Sequence, residues 1–277
     1  QDLIEATDAG LPGAAVVRLT KLFRQTAGAE SLIAANCQRV RRGIRPVRPD
    51  GPQSDYFEMP ADTPETAREL AVSLASHRLP KYLSVPPDEV QVLAPMHGGE
   101  AGVQAINRAL QEILNPPARG KAELPLPGQR ASVSGPSVLR IGDKVRQTRN
   151  DYRKEVLNGD LGRVVSMDVA SRTATIAFEG RRVPYTWEEL DELVHAWAMT
   201  VHSAQGSQWP AVVVIMLTSH YVMLERNILY TALSRAERMA VLISQEKAIR
   251  IAVARDRSLR RRTALAARLD RAVGSDA

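Results

Sequence analysis

A single cysteine, Cys37, stands in 277 residues, which excludes an internal disulfide and a multi-cysteine zinc site. Such sparse cysteine usage fits a reducing compartment, and a cytoplasmic location is the expectation. Aromatic residues make up 4% of the chain, so any stacking on nucleobases must rest on very few rings. No apolar run approaches the ~18 residues of a bilayer span, and no signal-peptide pattern opens the chain, so no membrane is expected as a partner. Acidic residues number 31 against 37 Lys and Arg, a net charge of +6. That excess is the footprint of a polyanionic partner such as nucleic acid, or else a solvated surface. A phosphate loop is also lacking. Gly120-Lys121 has Asn115 where the first glycine of the motif belongs, and Ala122 where Ser or Thr is required. Gln1 is not an initiator methionine, and the sequence reads as a piece of a longer chain.

What is present is a set of short apolar runs separated by polar turns. Ala196-Trp197-Ala198-Met199, Val212 through Leu217 and Met239 through Ile243 read as buried strands, with a helical segment around Leu229 to Ala236. Val90 through Pro95 is a further buried strand. The turn Met96-His97-Gly98-Gly99 follows it, then a helix over 100–114 with Val103, Ile106, Leu110 and Leu114 on one face. A glycine-bearing turn between strand and helix can bring backbone N–H groups to a phosphate, or merely connect. Residues 28–42 suit a helix stopped by Gly43, with Leu32, Ile33 and Val40 on one face. Thr63-Pro64-Glu65-Thr66 has the pattern of a helix start, and the helix is expected to run to Ser76. Residues 115–136, rich in Pro and Gly, read as a linker.

Residues 137–190 change character. Short alternating stretches at 138–148, 162–167, 173–178 and 182–185 are separated by turns at Asn158-Gly159-Asp160, 168–171 and Glu179-Gly180. They suggest a small inserted β-barrel displaying Lys144, Arg146, Arg149, Arg153 and Lys154, to contact phosphates or to protect edge strands. Past Ser244 the chain reads as one or two helices, and Arg260-Arg261-Arg262 as a solvated charge run.

Four signatures stand in one order: Leu19-Thr20-x-x-Phe23-Arg24-Gln25; Leu93-Ala94-Pro95-Met96; Asn158-Gly159-Asp160-x-Gly162; and Thr200-Val201-His202-Ser203-Ala204-Gln205-Gly206 with Tyr230-Thr231-Ala232-Leu233-Ser234-Arg235-Ala236. Together they resemble the C-terminal half of RecD-like DNA helicases, the 5′→3′ branch of superfamily 1. The resemblance implies an α/β fold: a RecA-like parallel sheet flanked by helices, with an inserted SH3-like β-barrel. Its parts fall at 1–134 (first part of the second motor domain), 135–192 (barrel) and 193–277 (second part, with a basic C-terminal helix). It implies an ATP-dependent helicase of DNA repair and recombination. A preceding N-terminal RecA-like domain would hold most of the ATP and Mg, and this chain alone would be inactive as an ATPase.

The same resemblance assigns residues. Arg24 and Arg235 match arginines that reach across the cleft to the γ-phosphate, where a guanidinium fork stabilises spreading charge without losing its proton. Gln25, Gly206 and Gln208 fall on the nucleotide side, Gln208 standing where the family commonly has a glutamate near the ribose. Thr200 and His202 match one bank of the single-stranded DNA channel; His97, Gly98 and Asn107 match the other, with Lys144, Arg146 and Asn150 of the barrel as further contacts. Each also has a structural reading: a satisfied core histidine for His202, a salt-bridge residue beside Glu237 for Arg235. Two alternatives remain for the whole: a non-catalytic single-stranded nucleic-acid-binding module, and the helicase region of a conjugative relaxase.

Overall fold

The structure, a computed structural model, describes residues 31–127 and 137–256. The apolar runs become a five-stranded parallel sheet in the order β1-β12-β11-β2-β10, formed by β1 (Tyr56–Pro60), β2 (Val90–Ala94), β10 (Ala198–Thr200), β11 (Trp209–Met216) and β12 (Ala236–Ser244). Continuous apolar strands are what a sheet covered on both faces requires, because neither set of alternating side chains meets water. Val212, Val214 and Met216 enter one core with α1 (Leu32–Arg41), α5 (Arg226–Leu233) and α6 (Glu246–Ala254). Ala211, Val213 and Ile215 enter the other, with α2 (Pro64–Ser73), α3 (Leu79–Leu83) and α4 (Val103–Leu114). Each such Val, Ile or Met side chain, fully buried, contributes about 1.5–3 kcal/mol.

Local signals set the helix ends. Ser31 caps α1 by accepting from the Ala34 N–H, and Gly43 follows the helix with φ of 74°. Thr63 caps α2 through the Thr66 N–H, with Pro64 at its first position. The helix does not stop at Ser76. It widens into a π turn over Leu74–Arg78, where the Leu79 N–H reaches back five residues to the Leu74 carbonyl, and continues as α3. Pro80 is the physical reason: it has no N–H for the Ser76 carbonyl and its ring would crowd that group, so the turn opens instead of ending. Helix α4 starts at Val103, the first of its periodic apolar residues and three residues after the expected start at Glu100, behind a tight loop. A Cβ on Gly102 would lie 2.2 Å from the Gly98 carbonyl oxygen, so that position needs glycine.

The second unit is antiparallel. Strands β5 (Lys144–Gln147), β6 (Leu161–Asp168), β7 (Thr173–Phe178), β8 (Arg181–Tyr185) and β9 (Leu193–His195) form a sheet in the order β8-β7-β6-β5-β9, with β3 (Glu123–Pro125) and β4 (Val138–Arg140) as a separate pair. Leu124 and Leu126 lie in its core beside Leu139, Val145, Ile176 and Leu193. The expected linker therefore contributes a strand, and strand pairing carries the barrel from Glu123 to His195 rather than over 135–192. Glycine suits position 162 because a Cβ there would meet the Ile176 side chain of the neighbouring strand β7 at 2.7 Å.

Candidate functional site

Parallel pairing aligns the ends of the strands of the first sheet. Thr200 is in register with Ala94, so the loops beginning at Pro95 and Val201 leave the carboxyl end of the sheet side by side. Ligands of open α/β sheets bind at that end. Trp209 begins β11 two rows before Ala211, which pairs with Val90, so residues 201–208 travel back along about six rows, ~20 Å at the usual rise. One short segment thus runs from the carboxyl end of the sheet to its amino end.

At the carboxyl end His97, Gly98 and His202 are exposed. Partial burial, and after it the nearby Arg146 guanidinium, hold the His97 imidazole below its ordinary range. Arg146 itself is half-buried; its Nη1 donates to the Gln147 carbonyl and to Asn158 Oδ1, each at 3.3 Å. Its Nε is buried with no hydrogen-bond partner among the described residues. Asn150 is exposed on the β5–β6 loop, accepting from the Asn158 N–H at 2.8 Å. The carbonyls of Met96 and His97 accept from the Val103 and Gln104 N–H groups, so two of the first donors of α4 are already occupied and do not form an open phosphate cradle.

Three expected strand contacts are placed otherwise. Asn107 is buried. Its Nδ2 donates to the His195 and Ala198 carbonyls (3.1 and 2.8 Å), and its Oδ1 accepts from the Ala198 N–H at 2.7 Å. It grips the chain where it passes from the barrel to the parallel sheet, so it does not line a channel. Lys144 is 7% exposed, its Nζ donating to the Asp88 carbonyl at 2.7 Å and to Gln91 Oε1 at 3.1 Å. Burial lowers its pKa to about 8, and it is not displayed to a phosphate. Thr200 is also buried; its hydroxyl pairs with Ser203 Oγ at 2.9 Å and accepts from the Ser203 N–H, closing the turn after β10.

Around these corrected residues lies a polar seam that sequence reasoning missed. The Asp143 carboxylate, fully buried, accepts from the Arg140 N–H, Gln111 Nε2, Asn115 Nδ2 and His195 Nε2 at 2.6–3.1 Å. Gln91, on β2, donates to the Ala196 and Trp197 carbonyls while it receives Lys144. The Arg163–Asp88 ion pair closes the outer side. Nothing local in the sequence marks these residues, since their partners lie as much as 106 positions away.

At the amino end Arg235 is 7% exposed. Its guanidinium donates to the Thr231 and Ser207 carbonyls (3.2 and 3.1 Å) and to Ser234 Oγ, tying the end of α5 to the returning segment. Gly206 has φ of 92°, a left-handed turn that favours glycine. Gln208, flanked by both backbone contacts of Arg235, has its Nε2 buried and without a hydrogen-bond partner among the described residues. A buried amide donor left without a partner fits an oxygen-rich ligand. Arg24 and Gln25 lie outside the described residues. Among the described residues no group of three His, Cys, Asp or Glu could hold a metal ion, and no helix is long and apolar enough to cross a membrane.

Comparison with known proteins bears on this arrangement. Residues 106–178 match the SH3 domain of ATP-dependent RecD-like DNA helicases, and residues 195–243 match the UvrD-like helicase C-terminal domain. The ATP-dependent RecD2 DNA helicase of Deinococcus radiodurans is 34% identical over 274 residues, 97% of this chain and 35% of that protein. The RecD subunit of the RecBCD enzyme of Mycobacterium tuberculosis is 32% identical over 168 residues, 61% of this chain and 27% of that protein. The chain thus spans about a third of the length of such relatives. In fold it is similar to the Pif1 helicase of Bacteroides solved with ADP-AlF3 and ssDNA (TM-score 0.52, 22% identity, 94% of this chain and 57% of that one). It is also similar to Pif1 of Candida albicans (TM-score 0.50, 20% identity, 86% and 58%). Strands β10, β11 and most of β12 fall in the UvrD-like match and β3 to β7 in the RecD-like SH3 match, and with the RecD2 relative they mark the chain as a helicase C-terminal region of the RecD-like type.

Proposed function

We propose that this chain is the C-terminal motor half of an ATP-dependent 5′→3′ DNA helicase. It binds single-stranded DNA along the carboxyl end of its sheet and serves, at the amino end, ATP and Mg held mainly by an N-terminal RecA-like domain of the same parent chain. The observation that carries the reading is the register of β2 and β10, which sets the exposed His97-Gly98 and His202 loops side by side next to Arg146 of the barrel. Turn N–H groups, imidazoles and a guanidinium bond phosphates without reading sequence, which suits a motor that must move over any base. Gly206, Gln208 and Arg235 gather at the other end of the same eight-residue return, so a ligand at one end is mechanically joined to a ligand at the other.

In this reading Arg235 meets the γ-phosphate when the two domains close, exchanging its contacts with two carbonyls for a charged partner. Arg24 and Gln25 join it from outside the described residues, and the absence of a phosphate loop in the sequence leaves this half alone without ATPase activity. The test is DNA-stimulated ATP hydrolysis by the full parent protein carrying Arg235→Ala. A fall of about 10³-fold or more with the DNA affinity retained is expected; unchanged turnover would refute the finger. The rival reading, a strand-binding module without coupling, is favoured by one observation: Arg235 is buried and already bonded to its own backbone. Parent protein whose ATPase ignores DNA would favour that module.

A further inference from the structure

Three aromatic rings are exposed among the described residues: Tyr82, Tyr152 and Tyr221. Two have evident company. Arg255 lies 4.3 Å over the Tyr221 ring, and Tyr82 borders an apolar cavity of about 370 Å³ with Phe57, Met59 and Leu79. Tyr152 differs. Its ring is 76% exposed at the tip of the β5–β6 loop, and that loop is built to hold it there.

A single exposed ring is ordinary on a protein surface, so exposure alone decides nothing. The construction beneath it does. Asp151 Oδ1 accepts from the Arg153 and Lys154 N–H groups, and Asp151 and Val156 exchange two backbone hydrogen bonds of 2.7 and 3.0 Å. Val156 is fully buried and pins the loop to the barrel core. The Tyr152 hydroxyl accepts from Asn150 Nδ2, Asn150 Oδ1 receives the Asn158 N–H, and Asn158 Oδ1 receives Arg146 Nη1. A continuous hydrogen-bonded path therefore runs from the guanidinium beside His97 to the hydroxyl end of the ring. Arg149 and Arg153, three residues before the ring and one after it in the chain, are 64% and 90% exposed, and their outer, solvent-facing ion pairs with Asp191 and Asp151 are 3.6 and 3.8 Å long. A rigid tyrosine offers a flat apolar face at little conformational cost, and cations beside it draw a polyanion.

We propose that Tyr152 is a stacking platform for one unpaired nucleobase of the strand whose phosphates pass Arg146 and His97. The inference rests on the single-strand reading above and names a contact within it. Stacking is indifferent to which base arrives, because every base has a π face, and so it suits a protein that must bind any sequence.

The experiment measures binding of oligo-dT and of an abasic oligonucleotide of equal length to the full-length protein over a series of salt concentrations. Tyr152→Ala, Tyr152→Phe and Arg146→Ala are compared with the unaltered protein. Tyr152→Ala is expected to weaken oligo-dT binding about 5- to 150-fold with the salt slope unchanged, while Tyr152→Phe stays within about twofold. On the abasic strand Tyr152→Ala and the unaltered protein should bind alike. Equal losses on both strands, or full affinity in Tyr152→Ala while Arg146→Ala loses binding, would overturn the stacking and leave the strand reading standing. Binding with no salt dependence, untouched by any of the three changes, would overturn both. A Tyr152→Ala protein that binds DNA normally but loses its interdomain contact would assign the ring to protein docking instead, against the proposal.

Discussion

At the seam between α4 and the barrel, Asn107, Gln111, Asp143 and Lys144 are all buried and each is hydrogen-bonded. At the rim, in the loops after β2, β5 and β10, His97, Gly98, Asn150 and His202 are exposed, and Arg146 on β5 has a buried Nε without a hydrogen-bond partner among the described residues. The two regions use the same residue types for opposite purposes. In the seam, low dielectric makes any unmade hydrogen bond expensive, so the polar groups saturate one another and lock the barrel to the parallel sheet. On the rim, water satisfies the exposed groups until a ligand replaces it, so their unmet capacity carries little penalty; the buried Arg146 Nε, which water does not reach, is the exception. Polar groups that are already satisfied inside hold geometry, and those left facing water are available to bind.

The largest effect that can break this contrast is at Asp143. Asp143→Ala leaves Gln111, Asn115, His195 and the Arg140 N–H without their common acceptor, and should destabilise the fold by about 3–5 kcal/mol. A thermal melt should fall by roughly 10 °C on the scaling for a domain of this size. A melt like that of the unaltered protein would mean the seam holds nothing.

A smaller effect is a pH dependence at Lys144. Its pKa is about 8 in the fold, lowered by burial, against an ordinary 10.5. Between those values the unfolded chain binds the extra proton, so stability should rise with pH from about 8 toward 10.5, by at most ~1.4 kcal/mol per unit. Below pH 8 the lysine is charged in both states and the slope vanishes. Denaturant melts of Lys144→Met should lose that rise; if the slope persists, another group is its source.

The smallest stability effect, with the larger functional one, belongs to the rim. On the proposed reading Arg146→Ala lowers the slope of log affinity for single-stranded DNA against log salt by ~0.7 and barely moves the melt. A large stability loss with an unchanged slope would place Arg146 in the seam's class and erase the comparison.

Much of this was legible in the chain itself. The apolar runs at 90–95, 212–217 and 239–243 are strands β2, β11 and β12, and Thr63-Pro64 begins a helix where its capping chemistry says it should. Strand β3 was hidden because Pro125 and the surrounding Pro and Gly residues mask a three-residue edge pairing that exists through β4. The helix past Ser76 was hidden because Pro80 reads as a stop unless a π turn absorbs it. At the site the loops after β2 and β10 were legible from their motifs, but the fates of Asn107, Lys144 and Thr200 were not.

Periodicity and capping by themselves determined which segments become strands and helices, because those preferences depend on residues within a turn or two. Which polar side chains are satisfied inside and which face solvent was decided by tertiary structure, because Asn107 and Gln91 find their partners in residues 195–198 only after the sheet forms. Burial is a property of the assembled neighbours, and no single stretch of the chain carries it.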